Sequence, residues 1–292
     1  MVVITYGYGQ LGNRLLLFAH FMANAIEHGY VLCNPAFDDY ADYFRGTGGN
    51  TFCRFPASPG LLPLPAGVRR RTRHLLLRLL RKVPAGWCGK WLRRFDIADA
   101  DESGEVCDLS AERFVTARQS SRLLLVHGWL FRDVAGFRKH AATIRSYFAP
   151  VEPHATHVAS FVAQARVGVD LLVGIHVRRG DYAEFLGGKF FYAPEDYLRI
   201  MRQISAGFPG KRVRFLVCSN EALDIRQYAP VDCLPGPGHE LDDLYAFSLC
   251  DYLVGPPSTY TNWASYYGRV PLFKMMTRDA SVNLEGFHVY NG

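Results

Sequence analysis

Residues 2–6, Val-Val-Ile-Thr-Tyr, form a short β-branched run that ends in glycine, the pattern of a buried strand. After the turn Gly7-Tyr8-Gly9-Gln10-Leu11-Gly12, apolar residues from Leu15 to Ile26 recur at helical spacing, and Gly29 marks the helix end. Residues 30–33 read as a second strand, so the chain opens as the β-turn-α-β unit of a parallel sheet. From residue 34 to about 121 the periodicity fails and Pro, Gly and Arg are frequent, which predicts a long insertion with one or two helices. A buried strand is expected at 123–127 and helices at 133–148 and 155–166, with Pro150 and Pro153 marking a lobe boundary. Beyond it, strands at 171–177, 213–218, 252–255 and 270–274 alternate with helices at 194–206, 220–228, 242–249 and 259–267. Both halves therefore read as doubly wound α/β lobes, residues 1–152 and 153–292.

At 292 residues the chain is long for one hydrophobic core, which supports two lobes. The composition, 49% hydrophobic and 21% charged, is that of a globular protein. No apolar run reaches the length of a membrane span, and the N-terminal residues read as a strand, not a signal peptide. Seven cysteines without a C-x-x-C pair argue against a disulfide framework and a zinc knuckle, and point to a reducing, cytoplasmic setting. Ten of the 33 basic residues and no acid lie between positions 69 and 94, so without that segment the net +6 becomes −4.

Three stretches carry chemistry. Gly7-x-Gly9-x-x-Gly12 matches the dinucleotide-binding fingerprint, but the second strand ends in Cys33-Asn34-Pro35 with no acid for a ribose. Three readings stay open for it: a nicotinamide or flavin oxidoreductase, which the missing acid disfavours, a plain strand-helix turn, or backbone N–H groups from Gly9 to Asn13 that meet a phosphate. The second stretch, His176-Val177-Arg178-Arg179-Gly180-Asp181-Tyr182, follows a buried strand, at the edge where open α/β sheets bind ligands. An arginine there can fork onto a phosphate while Asp181 braces it; the bland alternative is an Arg–Asp pair that only holds a loop. The third runs from Asp243 through a strand to Gly255-Pro256-Pro257-Ser258-Thr259, where Ser258 or Thr259 would cap a helix whose N-terminus suits phosphate.

Taken in order, these motifs resemble the fucosyltransferase superfamily, and most of all the bacterial α-1,2-fucosyltransferases of glycosyltransferase family 11. The shared features are the turn Gly9-Gln10-Leu11-Gly12-Asn13, the H-x-R-R-x-D block from His176 to Asp181 followed by Tyr182, and D-L-Y-x-x-S-x-C-D from Asp243 to Asp251. The sequence departs from the family pattern at Gly255 to Trp263, at Ser219-Asn220-Glu221, and in its Arg-rich segment. The resemblance implies a GT-B architecture of two Rossmann-like lobes, acceptor side first and nucleotide-sugar side second, with the basic insertion in the first lobe. It implies inverting transfer of L-fucose from GDP-β-L-fucose to a glycan hydroxyl, such as O-2 of a galactose-type sugar, with no cofactor or metal required.

Under that resemblance Arg178 stabilises the leaving diphosphate, supported by Arg179 and by the turn at Gly9, Gly12 and Asn13. His176 and Asp243 contact guanine, Ser258 and Thr259 meet the phosphates, and Asp181 or Glu184 is the candidate base. Three other readings were weighed on the residues themselves. Asp99-Ala100-Asp101 has the letters of a metal-dependent D-x-D but lies in a polar loop. A binding module is the second: Trp87 and Trp91 among the arginines could hold RNA, although no nucleic acid is expected. The third is that Leu75 to Leu80 with their flanking arginines form an amphipathic basic helix for an anionic membrane surface, where a lipid-linked oligosaccharide or surface-glycan acceptor would be met.

Overall fold

The computed structural model describes residues 1–57, 64–97 and 106–292. The chain forms two compact units, residues 1–151 with 291–292, and residues 152–290.

In the first unit the strands are β1 (Val2–Ile4), β2 (Leu32–Cys33), β3 (Arg54–Phe55), β4 (Leu92–Asp96), β5 (Cys107–Asp108), β6 (Leu123–His127) and β7 (Phe131–Arg132). Its helices are α1 (Leu11–His28), α2 (Ala66–Leu80), α3 (Glu112–Gln119), α4 (Val134–Lys139) and α5 (Ala141–Tyr147). The main sheet has the order β3-β2-β1-β6-β4, parallel except at β3, and β5 pairs with β7 in a small separate ladder. Helix α1 has little polar surface along its first four turns, because Leu15 to Ala25 are all buried, and Gly29 ends it in the left-handed region.

Residues 34–121 are not simply looped out as an insertion. They supply the sheet's two edge strands, β3 and β4, and β4 pairs with β6 residue for residue from Leu92↔Leu123 to Asp96↔His127. Its Leu-Arg-Arg-Phe-Asp sequence carries no strand signal because an edge strand, half-buried throughout, needs no apolar face on both sides. The expected helix at 133–148 is two helices that meet at His140.

Part of the basic segment is paired with acids from a distant 3₁₀ turn, Pro35–Tyr43. Arg69 reaches Asp42 at 2.6 Å, and Asp38 receives both Arg73 and His74, with Arg70 at 3.5 Å. The Arg73 side chain is 1% exposed and Asp38 5%, so this pair is fully inside. On α2 the buried positions are Arg73 and Leu77, one turn apart, while Leu75 and Leu79 face solvent.

The second unit contains α6 (Glu152–Ala165), β8 (Leu171–Val177), α7 (Pro194–Gly207), β9 (Val213–Ser219), β10 (Cys233–Pro235), α8 (Glu240–Phe247), β11 (Tyr252–Gly255), α9 (Thr259–Gly268) and β12 (Leu272–Lys274). All five strands are parallel, in the order β10-β9-β8-β11-β12. That is the doubly wound order in which successive strands leave β8 first to one side and then to the other. The core packs β8 and β9 against Tyr197, Ile200, Met201 and Ile204 of α7. The expected helix at 220–228 is reduced to one 3₁₀ turn, Ile225–Tyr228, capped by Asp224. Among the described residues no helix is long and apolar enough to cross a membrane.

Removing one partner of a buried ion pair leaves a stranded charge, which costs about 3–5 kcal/mol. Asp38→Ala is therefore expected to lower unfolding stability by about that amount, read by urea denaturation. A loss of under about 1 kcal/mol would mean that Arg73 does not depend on Asp38.

Candidate active site

The order of the second sheet reverses at β8 and β11, the switch point at whose C-terminal edge open α/β sheets bind ligands. Seven of the ten predicted site residues sit on the elements around it. His176 is on β8, Arg178, Arg179 and Asp181 are on the loop that follows, Asp243 is on α8, and Ser258 and Thr259 open α9. Gly9, Gly12 and Asn13 belong to the first unit, at the start of α1.

Gly180 is the pivot of the β8 loop. Its φ of 60° lies in the left-handed region, and a Cβ there would stand 3.1 Å from Glu221. The turn brings Asp181 back onto Arg178, whose Nη2 donates to both carboxylate oxygens at 2.9 and 3.0 Å. The Arg178 guanidinium also lies over the Tyr182 ring at 5.3 Å. The Tyr182 hydroxyl donates to the Pro257 carbonyl at 2.6 Å, which ties the β8 loop to the β11 loop. The Arg178 side chain is 13% exposed and Asp181 60%, so the cation is held in place while its brace stays in water.

Arg179 is fixed through its backbone. Its N–H donates to Asn220 Oδ1 at 2.7 Å, and its guanidinium lies over Phe191 at 5.1 Å. Ser258 caps α9 by accepting from the Tyr260 N–H at 3.2 Å, so its hydroxyl is engaged with its own helix. The first amides of α9 nonetheless form a helix N-terminus, the natural seat of an anion.

His176 pairs in register with Cys218 across β8 and β9, and its ring lies 5.2 Å from that of Tyr260. Burial, with the Arg178 charge adding, pulls its pKa down to about 3, so the imidazole is neutral at working pH. Its Nδ1 is buried with no hydrogen-bond partner among the described residues, a polar atom placed to meet a ligand. Asp243 accepts from the Gly238 N–H at 2.9 Å beneath the Gly236-Pro237-Gly238 turn. Burial raises its pKa to about 6, against the pull of the Gly238 amide.

In the first unit Gly9 has φ 62°, and the place its Cβ would take is filled by the Asn13 amide, 2.1 Å away. Arg14 closes this turn by donating to the Gly9 carbonyl at 3.1 Å and to Asp39 at 2.7 Å. A cavity of about 460 Å³ beside it is lined by Arg14, His74, Arg78, Arg81, Asp38 and Asp39. The sequence reading missed Arg14 and Arg81 as lining residues. Arg14 stood next to the motif, and Arg81 could not be placed without knowing that it reaches the Thr5 carbonyl 76 residues away. The Asp99-Ala100-Asp101 stretch lies outside the described residues.

No protein-family model and no curated protein matches the sequence. Solved structures do match. A point mutant of FUT1 from Arabidopsis thaliana in complex with GDP superposes with a TM-score of 0.57 at 16% identity, over 98% of this chain and 73% of that one. NodZ α-1,6-fucosyltransferase soaked with GDP-fucose gives 0.55 at 14% identity, over 94% of each chain. Fucosyltransferase NodZ from Bradyrhizobium gives 0.54 at 15%, over 94% of this chain and 95% of that one. The chain has the fold of these fucosyltransferases. The α/β class with two Rossmann-like lobes, read from the sequence, is thus the observed one.

The buried imidazole gives a pH test. An unfolded histidine titrates near 6.5, so between there and about pH 3 the unfolded chain takes up a proton that folded His176 refuses. Stability falls on acidification by up to about 1.4 kcal/mol per pH unit from this group. His176→Gln is expected to flatten that slope, measured by denaturation between pH 6.5 and 4.5. An unchanged slope would show that His176 is protonated in the fold.

Proposed function

We propose that the protein is an inverting glycosyltransferase that takes L-fucose from GDP-β-L-fucose. The observation that carries this reading is the Arg178–Asp181–Tyr182 clamp at the switch point of the second sheet, beside the N-terminus of α9, on a fold shared with GDP- and GDP-fucose-bound fucosyltransferases. The second unit is the donor side and the first the acceptor side.

As the glycosidic bond breaks, the anomeric carbon gains oxocarbenium character and negative charge collects on the departing β-phosphate. A cation already fixed at that spot stabilises the transition state without reorganising. Arg178 is that cation, since its guanidinium is locked before substrate arrives. Arg179 and the α9 amides near Ser258 and Thr259 spread the remaining charge. Asp243, an acceptor-only carboxylate, receives guanine N1–H and N2–H, and neutral His176 meets the base through Nδ1. Asp181 is committed to Arg178, so it positions the guanidinium; as a base for the acceptor hydroxyl it would have to release that contact, and Glu184 is the loop's other carboxylate.

The finer reading is transfer to O-2 of a galactose-type sugar, supported by Tyr182 directly after the His176–Asp181 block. For attachment to an anionic membrane surface, the support is the outer side of α2, where Arg71, Leu75, Arg78 and Leu79 are exposed, together with exposed Trp87 and Trp91. Arg69 and Arg73 are turned inward and would not take part.

Calorimetric titration with GDP, UDP and dTDP tests the donor. GDP is expected to bind at least about tenfold more tightly than the others, because only guanine offers two donors to Asp243. Equal binding of UDP overturns the reading. Arg178→Lys keeps the charge and loses the planar fork, and is expected to cut turnover about 10²–10³-fold with a smaller change in GDP affinity. Turnover within a few-fold of wild type removes Arg178 from the leaving-group role.

A further inference from the structure

A second cluster of chemistry-bearing side chains stands on the opening turns of α6 and α8, which pack against one another in the second unit. Asp242 lies in the first turn of α8 with its side chain only 6% exposed. Its two oxygens are claimed separately, Oδ1 by His154 Nδ1 at 2.6 Å and Oδ2 by His157 Nδ1 at 2.8 Å. His154 and His157 are one turn apart on α6 and so share a face. A third imidazole, His239, is the N-cap of α8, where its Nδ1 accepts from the Leu241 N–H at 3.3 Å. The His154 and His239 rings stand 5.0 Å apart.

We propose that His154, His239 and Asp242 form a binding site for a divalent transition metal, with Zn²⁺ the ion the ligand set fits. Two imidazoles and one carboxylate are the donors of an open three-ligand zinc site, with the fourth position left to water. One ligand atom from each residue lies within 4.8 Å of the others. A tetrahedral ion with bonds of about 2.0–2.2 Å needs such atoms roughly 3.3–3.6 Å apart, so it would replace the 2.6 Å His154–Asp242 hydrogen bond and draw His239 inward by side-chain rotation. With Nδ1 of His239 committed to the Leu241 amide, Nε2 is its ligating atom. His157 is a positioning residue: it holds the outer oxygen of Asp242 while the inner one turns to the metal.

Charge bears on the site in two directions. The N-termini of α6 and α8 both point their positive ends here, which disfavours a cation. The buried carboxylate offsets this, and its partners among the described residues are His154 and His157. A divalent ion supplies positive charge directly to that buried carboxylate. Glu152 and Glu240 add negative charge to the same two turns. Bound metal would clamp the start of α6 to the start of α8. This inference does not rest on the glycosyltransferase reading, since none of its ligands has a role there.

The test uses the full chain, treated with a chelator that is then removed, and titrated calorimetrically with ZnCl₂ at pH 7.5. One equivalent is expected to bind at micromolar concentration or below and to raise the thermal midpoint. Co²⁺ in place of Zn²⁺ is expected to give the visible ligand-field band of a tetrahedral ion. His154→Gln and His239→Asn should each weaken zinc binding by about 100-fold or more, and asparagine retains the N-cap. His157→Gln should weaken it about 10–100-fold, as the loss of an orienting partner does. No zinc uptake by the wild-type chain overturns the proposal, and so does zinc binding that survives in both ligand variants. If either variant melts early without metal, the wild-type Co²⁺ spectrum decides, and an octahedral spectrum or none overturns it.

Discussion

The second unit is organised by one constraint: β8 is paired in parallel on both sides, to β9 and to β11, and the chain must leave it in opposite directions. A parallel strand so enclosed is buried on both faces, which is why Leu172 to Val177 is an almost uninterrupted apolar run. The one polar side chain admitted to it, His176, is held neutral by its surroundings. Everything polar that the site uses is therefore pushed to the strand's C-terminal end, where the backbone first reaches water. Arg178, Arg179 and Asp181 follow directly, and the β11 loop returns to them through the Tyr182–Pro257 bond.

In the first unit the ordering force is charge sorted over long sequence distances. A helix that carries arginine with no acid would be a poor component of a packed unit. The 3₁₀ turn Pro35–Tyr43 resolves this by placing Asp38, Asp39 and Asp42 against α2 and Arg14. Asp38 alone meets Arg70, Arg73 and His74, and with Arg73 it forms a pair buried on both sides, so losing either partner would strand a charge. The same acids and arginines line the cavity beside the Gly9 turn, so what holds this unit together also sets the polarity of its candidate binding surface.

How much of this the sequence discloses depends on where each signal resides. β8, β6 and β11 are legible because their burial is continuous and local, and their limits are those expected from the apolar runs alone. β3 and β4 are not, since a two-residue strand has no period and an edge strand has no obligatory apolar face. The helix expected at 220–228 is lost because Asp224 caps a single turn and Pro230 follows at once. The clamp motif could be read from spacing, because Arg178 and Asp181 are three residues apart. The Arg73–Asp38 pair joins residues 35 apart on elements whose contact no local pattern announces. The four residues of the Asp242 cluster lie between: His154 with His157 and His239 with Asp242 are each spaced by one helical turn, yet only the packing of α6 on α8 brings the two pairs together.

For the proposed role of Arg178, the brace from Asp181 suits a leaving diphosphate. An unbraced guanidinium would spend side-chain entropy on every encounter, about 2 kcal/mol for so long a chain. Asp181 meets that cost in folding, with the Tyr182 ring beneath the guanidinium. The brace must not neutralise the cation it holds. Asp181 is 60% exposed, so water screens its charge, whereas Arg178, 13% exposed, lies on the drier side of the pair. A phosphate arriving from that drier side therefore meets most of the positive potential, and the carboxylate behind supplies orientation at a small loss of field. Moving the carboxylate inward would reverse that balance, because two opposite charges in low dielectric satisfy one another and leave little for a ligand.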